Sequence, residues 1–168
     1  PRLMPRLFDL SGKTALVTGC NTGLGQGMAL ALAEAGADII GVNRSDASMT
    51  RAGVEATGRR YADVAADLSS IEDLPAIVAD GVAAFGRIDI LVNCAGTRGP
   101  VGVSIADGDE KDWRLMFDVN SLGTMIVSKA VAKEMIRKNE GGKIVHIASA
   151  AGKLPCPGSA AYAASKWA

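Results

Sequence analysis

Short apolar runs alternate with amphipathic stretches along this chain, and the alternation predicts strand and helix in turn. Residues 13–18 (KTALVT) are apolar and partly β-branched, which predicts a buried strand. Glycine-rich punctuation follows at 19–27. Leu24, Met28, Leu32 and Ala35 then recur every three or four positions, predicting a helix with one apolar face that Gly36 ends. Residues 38–43 (DIIGVN) predict a second strand, residues 47–57 a polar helix, and residues 61–66 a third strand. Ser70 and Asp73 resemble a capping box, opening a helix that carries Ile71, Leu74, Ile77, Val78 and Val82 to Phe85. Pro75 falls in its early turns, where a missing amide costs little. Residues 88–93 (IDILVN) predict a fourth strand, and about 110–139 a long helical region. Residues 143–148 (KIVHIA) predict a fifth strand, 152–158 (GKLPCPG) a loop, and a further helix begins near 160.

Strands separated by helices, each strand apolar on both faces, predict an α/β fold: a doubly wound parallel sheet with helices on both faces. The 168 residues suit one domain over 1–168, and 48% apolar content supplies a sizeable core. No repeat, low-complexity tract or linker divides the chain. Eighteen basic residues balance eighteen acidic ones, leaving no broad basic face for nucleic acid and no polybasic membrane anchor. Aromatic content of 4% also argues against base-stacking platforms. Residues 28–40 are broken by Glu34 and Asp38 and are too short to span a bilayer. Residues 1–8 (PRLMPRLF) lack the apolar core of a secretory signal. Cys20, Cys94 and Cys156 are widely spaced and His146 is the one histidine, so no zinc site or other metal centre is expected. An odd cysteine count without a signal segment points to a reducing cytoplasm.

The stretch Thr18-Gly19-Cys20-Asn21-Thr22-Gly23-Leu24-Gly25 joins the first strand to the first helix. Glycines there permit a sharp turn and close approach of a pyrophosphate, while the helix amino terminus offers free N–H groups. A tight turn with no ligand is compatible with the same residues. The second strand ends in Asn43-Arg44, where a carboxylate would bind ribose hydroxyls. A guanidinium in place of that charge tilts the expectation toward NADP over NAD. A solvated arginine, or one stacked on adenine in an NAD enzyme, is the competing reading. Asp67 could accept from an adenine amino group or simply hold a turn. Asn93-Cys94-Ala95-Gly96, after the fourth strand, would let the backbone pass close to a cofactor, or would merely end a strand.

Tyr162 and Lys166 stand four apart, on one face of a helix. A phenol titrates near about 10 in water, and a neighbouring ammonium favours the phenolate. Such a tyrosine can give a proton to a carbonyl oxygen or take one from an alcohol. Ser149, where the fifth strand ends, could orient the substrate oxygen or act as a routine cap. Asn120 is a poor helix former inside the long helix. Its amide could hold a water in a proton path, or it could be a plain surface asparagine.

In this order, T-G-x-x-x-G-x-G at 18–25, D-L at 67–68, N-C-A-G at 93–96, Asn120, Ser149 and Y-x-x-x-K at 162–166 resemble the short-chain dehydrogenase/reductase family. The resemblance implies a Rossmann-like fold and hydride transfer between NAD(P)(H) and a carbonyl or secondary alcohol on a small molecule. It implies that Gly19, Asn21, Thr22, Gly23, Leu24 and Gly25 form the pyrophosphate turn. Asn43 and Arg44 would meet the ribose, and Asp67 with Leu68 the adenine. Asn93, Ala95 and Gly96 would border the cofactor. Tyr162 would be the general acid/base, Lys166 its electrostatic partner and a ribose ligand, Ser149 the substrate-positioning group, and Asn120 the end of the relay. Cys94 departs from the family's more usual second asparagine. A finer resemblance joins residues 12–43 and Glu110-Lys111-Asp112-Trp113 to the family's sugar-acid enzymes, the 2-dehydro-3-deoxy-gluconate 5-dehydrogenases. Residues 97–105 and 150–159 do not look like theirs. The family continues past the point where this chain stops, with two more strands and a substrate-covering segment. That comparison predicts a C-terminally incomplete fold that alone binds cofactor weakly, and a homo-oligomer, dimer or tetramer, at full length. A non-catalytic NAD(P)-binding module or an inactive fragment is the alternative.

Overall fold

The computed structural model describes residues 8–168, so the reading of the first seven residues lies outside it. Five parallel strands form one sheet: β1 (Thr14–Thr18), β2 (Asp38–Asn43), β3 (Tyr61–Ala65), β4 (Ile90–Asn93) and β5 (Lys143–His146). Their spatial order is β3-β2-β1-β4-β5. Six α-helices connect or follow them: α1 (Gly23–Glu34), α2 (Ser48–Ala56), α3 (Leu74–Phe85), α4 (Glu110–Phe117), α5 (Thr124–Lys138) and α6 (Ala160–Trp167). The expected doubly wound parallel sheet is therefore present.

Strand alternation divides the core between two faces. Leu16, Ile40, Val42 and Leu91 pack with Leu74, Ile77, Val127 and Val131 on the α3–α5 side. Ala15, Val17, Ile39 and Val92 pack with Ala29, Ala33 and Val54 on the α1–α2 side. Leu16, Ile39, Ile40 and Leu91 are wholly buried, each contributing roughly 1.5–3 kcal/mol by leaving water.

Three sequence expectations are corrected. The buried face of α1 is Gly25, Ala29 and Ala33, while Leu24 is 73% exposed. A side chain on Gly25 would overlap the Gly19 carbonyl, so the helix lies against β1 too closely for large residues. Met28 and Leu32 of the stripe still pack against this core, but only partly buried, one position from the small-residue contact. The capping box does not form: α3 begins at Leu74, and residues 71–73 are turns. Asp73 makes no side-chain cap, and its backbone N–H instead bonds the Ser70 carbonyl at 3.1 Å. Finally, the helical region at 110–139 is not one regular helix. A π-type segment, Asp118–Gly123, separates α4 from α5. Gly123 accommodates it, since a Cβ there would lie 2.7 Å from the Leu68 carbonyl oxygen.

Candidate active site

Parallel sheets bind ligands beyond the carboxyl ends of their strands, where neighbouring connections leave in opposite directions. Here that point lies between β1, followed by α1, and β4, next to it in the sheet. Thr18 ends β1, and its Oγ1 accepts hydrogen bonds from the Cys94 and Ala95 N–H groups, both at 3.1 Å. This fixes the 93–96 segment against the glycine turn. Gly19 has φ +67°, and a Cβ on it would lie 2.7 Å from the Ala95 Cα. Glycine is required there on both counts.

An open cleft of about 540 Å³ occupies this position. Its floor includes Gly19, Asn21, Thr22, Gly23, Leu24 and Gly25. Thr22 precedes α1 without a side-chain cap, and no acidic residue stands in the first turn, so these amides suit an anion. Arg44, Asp67 and Leu68 line one end of the cleft, with Ala95 and Gly96 in its middle. Tyr162 and Lys166 line the other end. The glycine turn and the tyrosine–lysine pair, far apart in sequence, thus border one space.

Asp67 holds a turn and also lines the cleft. Its Oδ1 accepts from the Ser69 N–H at 2.9 Å and the Ser69 hydroxyl at 2.7 Å. Its Oδ2 lies 3.6 Å from the Arg44 guanidinium. The Ser69 bonds, aided by Arg44, hold the carboxyl below its ordinary value. Asn21 donates to the Ser45 hydroxyl at 3.1 Å, bracing the turn against the residue after Arg44. Lys166 Nζ donates to the Ile147 carbonyl at 3.0 Å, which anchors the ammonium at the end of β5. Ser149 Oγ accepts from the Ala151 N–H at 3.2 Å and is half-buried beyond the end of β5.

Four predicted residues do not line the cleft: Ser149, described above, and Asn43, Asn93 and Asn120. Asn43 follows Val42, so strand alternation turns it to the α1–α2 side. It is 4% exposed and donates to Cys20 Sγ, the Tyr61 hydroxyl and Asp63. It does not line the cleft, and Arg44 and Ser45 represent the end of β2 there instead. Asn93 donates to the Ser128 hydroxyl at 3.0 Å and contacts His146 Nδ1 at 3.3 Å, tying β4 to α5 and β5. Asn120 sits in the π segment. Its Oδ1 accepts from the Thr97 N–H at 2.8 Å. Its Nδ2 donates to the Thr97 carbonyl at 2.8 Å and the Ser165 hydroxyl at 2.9 Å. Its amide clasps the strand-ending loop to α6 rather than lying open to a water.

Sequence reasoning gave no role to four contributors. Thr18 couples the two cofactor-side segments, and its only signal was its place before Gly19. Thr50, wholly buried, donates to the Cys20 carbonyl at 2.7 Å and so holds the glycine turn from α2. Arg98 lines the cleft and enters no salt bridge among the described residues. Cys94 lines it too, and burial raises its thiol pKa while Lys166 pulls the other way. Cys20 is buried beneath the turn, and burial pushes its thiol up. No group of three or more His, Cys, Asp or Glu among the described residues could hold a metal ion. No helix there is long and apolar enough to cross a membrane.

Residues 13–168 match the family model described as short chain dehydrogenase. A 2-dehydro-3-deoxy-D-gluconate 5-dehydrogenase of Escherichia coli K12 is 48% identical over 143 residues, covering 84% of this chain and 55% of the relative. A gluconate 5-dehydrogenase of Gluconobacter oxydans is 38% identical, covering 96% of this chain and 63% of the relative. Among solved structures, a short chain dehydrogenase from Mycobacterium paratuberculosis bound to NAD superposes with a TM-score of 0.87 at 34% identity. That match covers 95% of this chain and 64% of the other. The chain thus spans a little over half to about two thirds of the length of the proteins it matches.

Proposed function

The chain belongs to the short-chain dehydrogenase/reductase family, and from that premise we propose that it carries the cofactor site and catalytic pair of an NAD(P)-dependent alcohol or carbonyl oxidoreductase. The observation that carries this reading is the single cleft bordered by the Gly19–Gly25 turn and by Tyr162 and Lys166. The uncapped start of α1 and an opening of about 540 Å³ fit a dinucleotide. Three cations, Arg44, Arg98 and Lys166, face one carboxylate, Asp67, around that opening, which suits an anionic ligand.

A nicotinamide dinucleotide, when bound, supplies the hydride donor or acceptor. The chain's own residues do the rest. The Tyr162 hydroxyl gives its proton to the carbonyl oxygen in reduction and takes one from the alcohol in oxidation. The Lys166 ammonium, held by the Ile147 carbonyl, stabilises negative charge on that phenol oxygen. The Ser149 O–H is left free to donate to the substrate oxygen, since its Oγ is engaged only as an acceptor. Asn120 acts one step back, by fixing Thr97 and Ser165.

Arg44 is the group that would favour a 2′-phosphate, and its Asp67 partner competes for it. We therefore read the cofactor preference as NADP over NAD by a small margin. Arg98, in no salt bridge among the described residues and lining the same cleft as Tyr162, suits a substrate that bears a carboxylate, and the sugar-acid relatives support that class. Assembly of the protein as a dimer or tetramer is supported by an apolar groove between α3 and α5, around Val78, Val82 and Ile126.

The test is spectrophotometric. Oxidation of NADH and NADPH at 340 nm is followed with the intact protein and a panel of keto-hexonates, keto-acids and keto-sugars. Consumption in step with carbonyl reduction supports the oxidoreductase. Cofactor binding without consumption across the panel replaces it with a non-catalytic nucleotide-binding module.

A further inference from the structure

Cys20 is the one residue of the Gly19–Gly25 turn that does not line the cofactor cleft. It is wholly buried and packs on the α1–α2 side of the sheet. Partners from three separate elements hold it there. The Tyr61 hydroxyl of β3 lies 3.7 Å from its Sγ. The Asn43 amide of β2 donates to the same sulfur at 3.6 Å. From α2, the Thr50 hydroxyl donates to its carbonyl at 2.7 Å, and Gln26 of α1 donates to that hydroxyl at 2.9 Å. Tyr61 reaches the turn by lying along the sheet. It stands opposite Ile39 in the register, two residues short of Gly41. A Cβ on Gly41 would overlap the Tyr61 hydroxyl and lie 2.8 Å from Cys20 Sγ, so phenol and thiol fill the space a side chain would take. The Tyr61 hydroxyl donates to Asp63 at 3.3 Å and accepts from Asn43 at 3.2 Å. Burial above all raises the phenol pKa, which keeps it a neutral hydroxyl. A phenylalanine would fill the same volume without burying an oxygen, so packing alone does not account for the hydroxyl.

We propose that Tyr61 is a positioning residue for the dinucleotide: acting through Cys20, it fixes the glycine turn from behind and thereby sets cofactor affinity. The proposal rests on nucleotide binding in the cleft and not on the reaction performed there. Turn amides bind a pyrophosphate well only if they are already held where its oxygens will be, because ordering a loose turn on binding weakens affinity. Gly19 and Gly23 have φ of +67° and +59°, and glycine gives the turn little stiffness of its own. Cys20 and Asn21 lie between them and pin the turn from opposite sides. Asn21 bonds Ser45 on the cleft side, and Cys20 is gripped by Tyr61, Asn43 and Thr50 on the buried side. The pyrophosphate is common to NAD and NADP, so Tyr61 acts on both alike, whereas Arg44 acts on a 2′-phosphate alone.

The experiment titrates NADH and NADPH by fluorescence into the intact protein and into Tyr61→Phe. The variant should bind both more weakly by the same factor, about threefold to tenfold, the loss of one buried hydrogen bond. The number of sites per chain should stay the same. A role confined to stability does the reverse, lowering the number of sites while the Kd of the folded fraction holds, and that result overturns the proposal. Cys20→Ala should weaken both cofactors by a similar factor. In its background Tyr61→Phe should add less than about twofold, because the two residues act in series. Fully additive losses, or a loss confined to NADPH, overturn the proposal. Where Tyr61→Phe does not fold, Cys20→Ala decides alone, and an unchanged Kd in it overturns the proposal. If the unchanged protein binds neither nucleotide, the cofactor reading itself fails and takes the proposal with it.

Discussion

Asp38 opens β2 and Asp89 immediately precedes β4; the same strands end in Asn43 and Asn93 at the opposite edge of the sheet. At the amino-terminal edge every buried charge is answered. Asp38 takes the Arg59 guanidinium at 2.6 Å and Arg60 at 2.6 Å. Asp89 takes Arg87, Lys13 and the Thr14 N–H. Among the described residues, the carboxyl-terminal edge instead leaves α1 without a side-chain cap and Arg98 without a salt bridge. One edge is closed by its own side chains, and the other is left for something else to complete. Stability and chemistry are thereby assigned to opposite ends of one sheet, which the following changes should separate.

The largest effect expected is on turnover. Tyr162→Phe removes the transferable proton and should lower kcat by on the order of a hundredfold to ten-thousandfold. Fluorescence titration with NADPH should return the affinity of the unchanged protein, and a retained rate removes Tyr162 from the mechanism. Gly19→Ala sits on the functional edge but should also destabilise the fold. It forces a side chain into φ +67° and within 2.7 Å of the Ala95 Cα, costing about 3 kcal/mol or more. Urea unfolding and NADPH binding should fail together in this variant. If stability holds while binding is lost, the turn tolerates the side chain and the clash argument is wrong.

Asp38→Ala breaks the closed edge. It leaves two guanidiniums without their shared carboxylate and should cost about 2–3 kcal/mol in urea unfolding. Cofactor affinity should not move, since Asp38 stands at the far end of β2. A weakened NADPH affinity would mean the two edges are not independent. The same edge sets a pH dependence. Burial opposes the charge on Asp38 and Asp89, but the Arg60, Arg59 and Arg87 bonds outweigh it and hold both carboxyls below the ordinary 3.8. The stabilisation is therefore complete above about 3.8 and is lost as pH falls through the lower folded values. Urea midpoints measured between about pH 5 and pH 3 should fall more steeply for the unchanged protein than for Asp38→Ala. Parallel curves would show that Asp38 contributes nothing to acid sensitivity.

The smallest effect belongs to Arg44→Ala. The side chain is 73% exposed and shares its charge with Asp67. It should weaken NADPH by roughly fivefold and NADH by less than twofold, as suits a solvent-screened charge. Equal losses for both would favour stacking on adenine over recognition of a 2′-phosphate.

Much of this was legible before any coordinates. The strands fall within about two residues of the apolar runs that predicted them, because a two-sided sheet needs an uninterrupted apolar stretch and turn residues bound it. That Gly19, Asp67, Tyr162 and Lys166 would border one cleft was readable from motif order, because each sits at a turn, a strand end or a short helix on the carboxyl side of the sheet. Side-chain direction was not readable. Asn43 looked like a ribose ligand because it ends β2, yet one step of alternation sends it into the Cys20–Tyr61 cluster. Asn120 looked like a surface residue or a water ligand in a regular helix, but the π segment turns it toward Thr97 and Ser165.

The sequence by itself determined the order of strands and helices, the glycine turn and the tyrosine–lysine face, because each is a matter of local periodicity or of fixed spacing within one turn. Only the tertiary structure decided which polar groups were already satisfied. Whether Asn43, Asn93 or Asn120 has a partner depends on residues tens of positions away, brought within 3 Å or so by packing of the sheet and its helices. Hydrogen-bond satisfaction is a property of those distances, and no pattern along the chain encodes it directly.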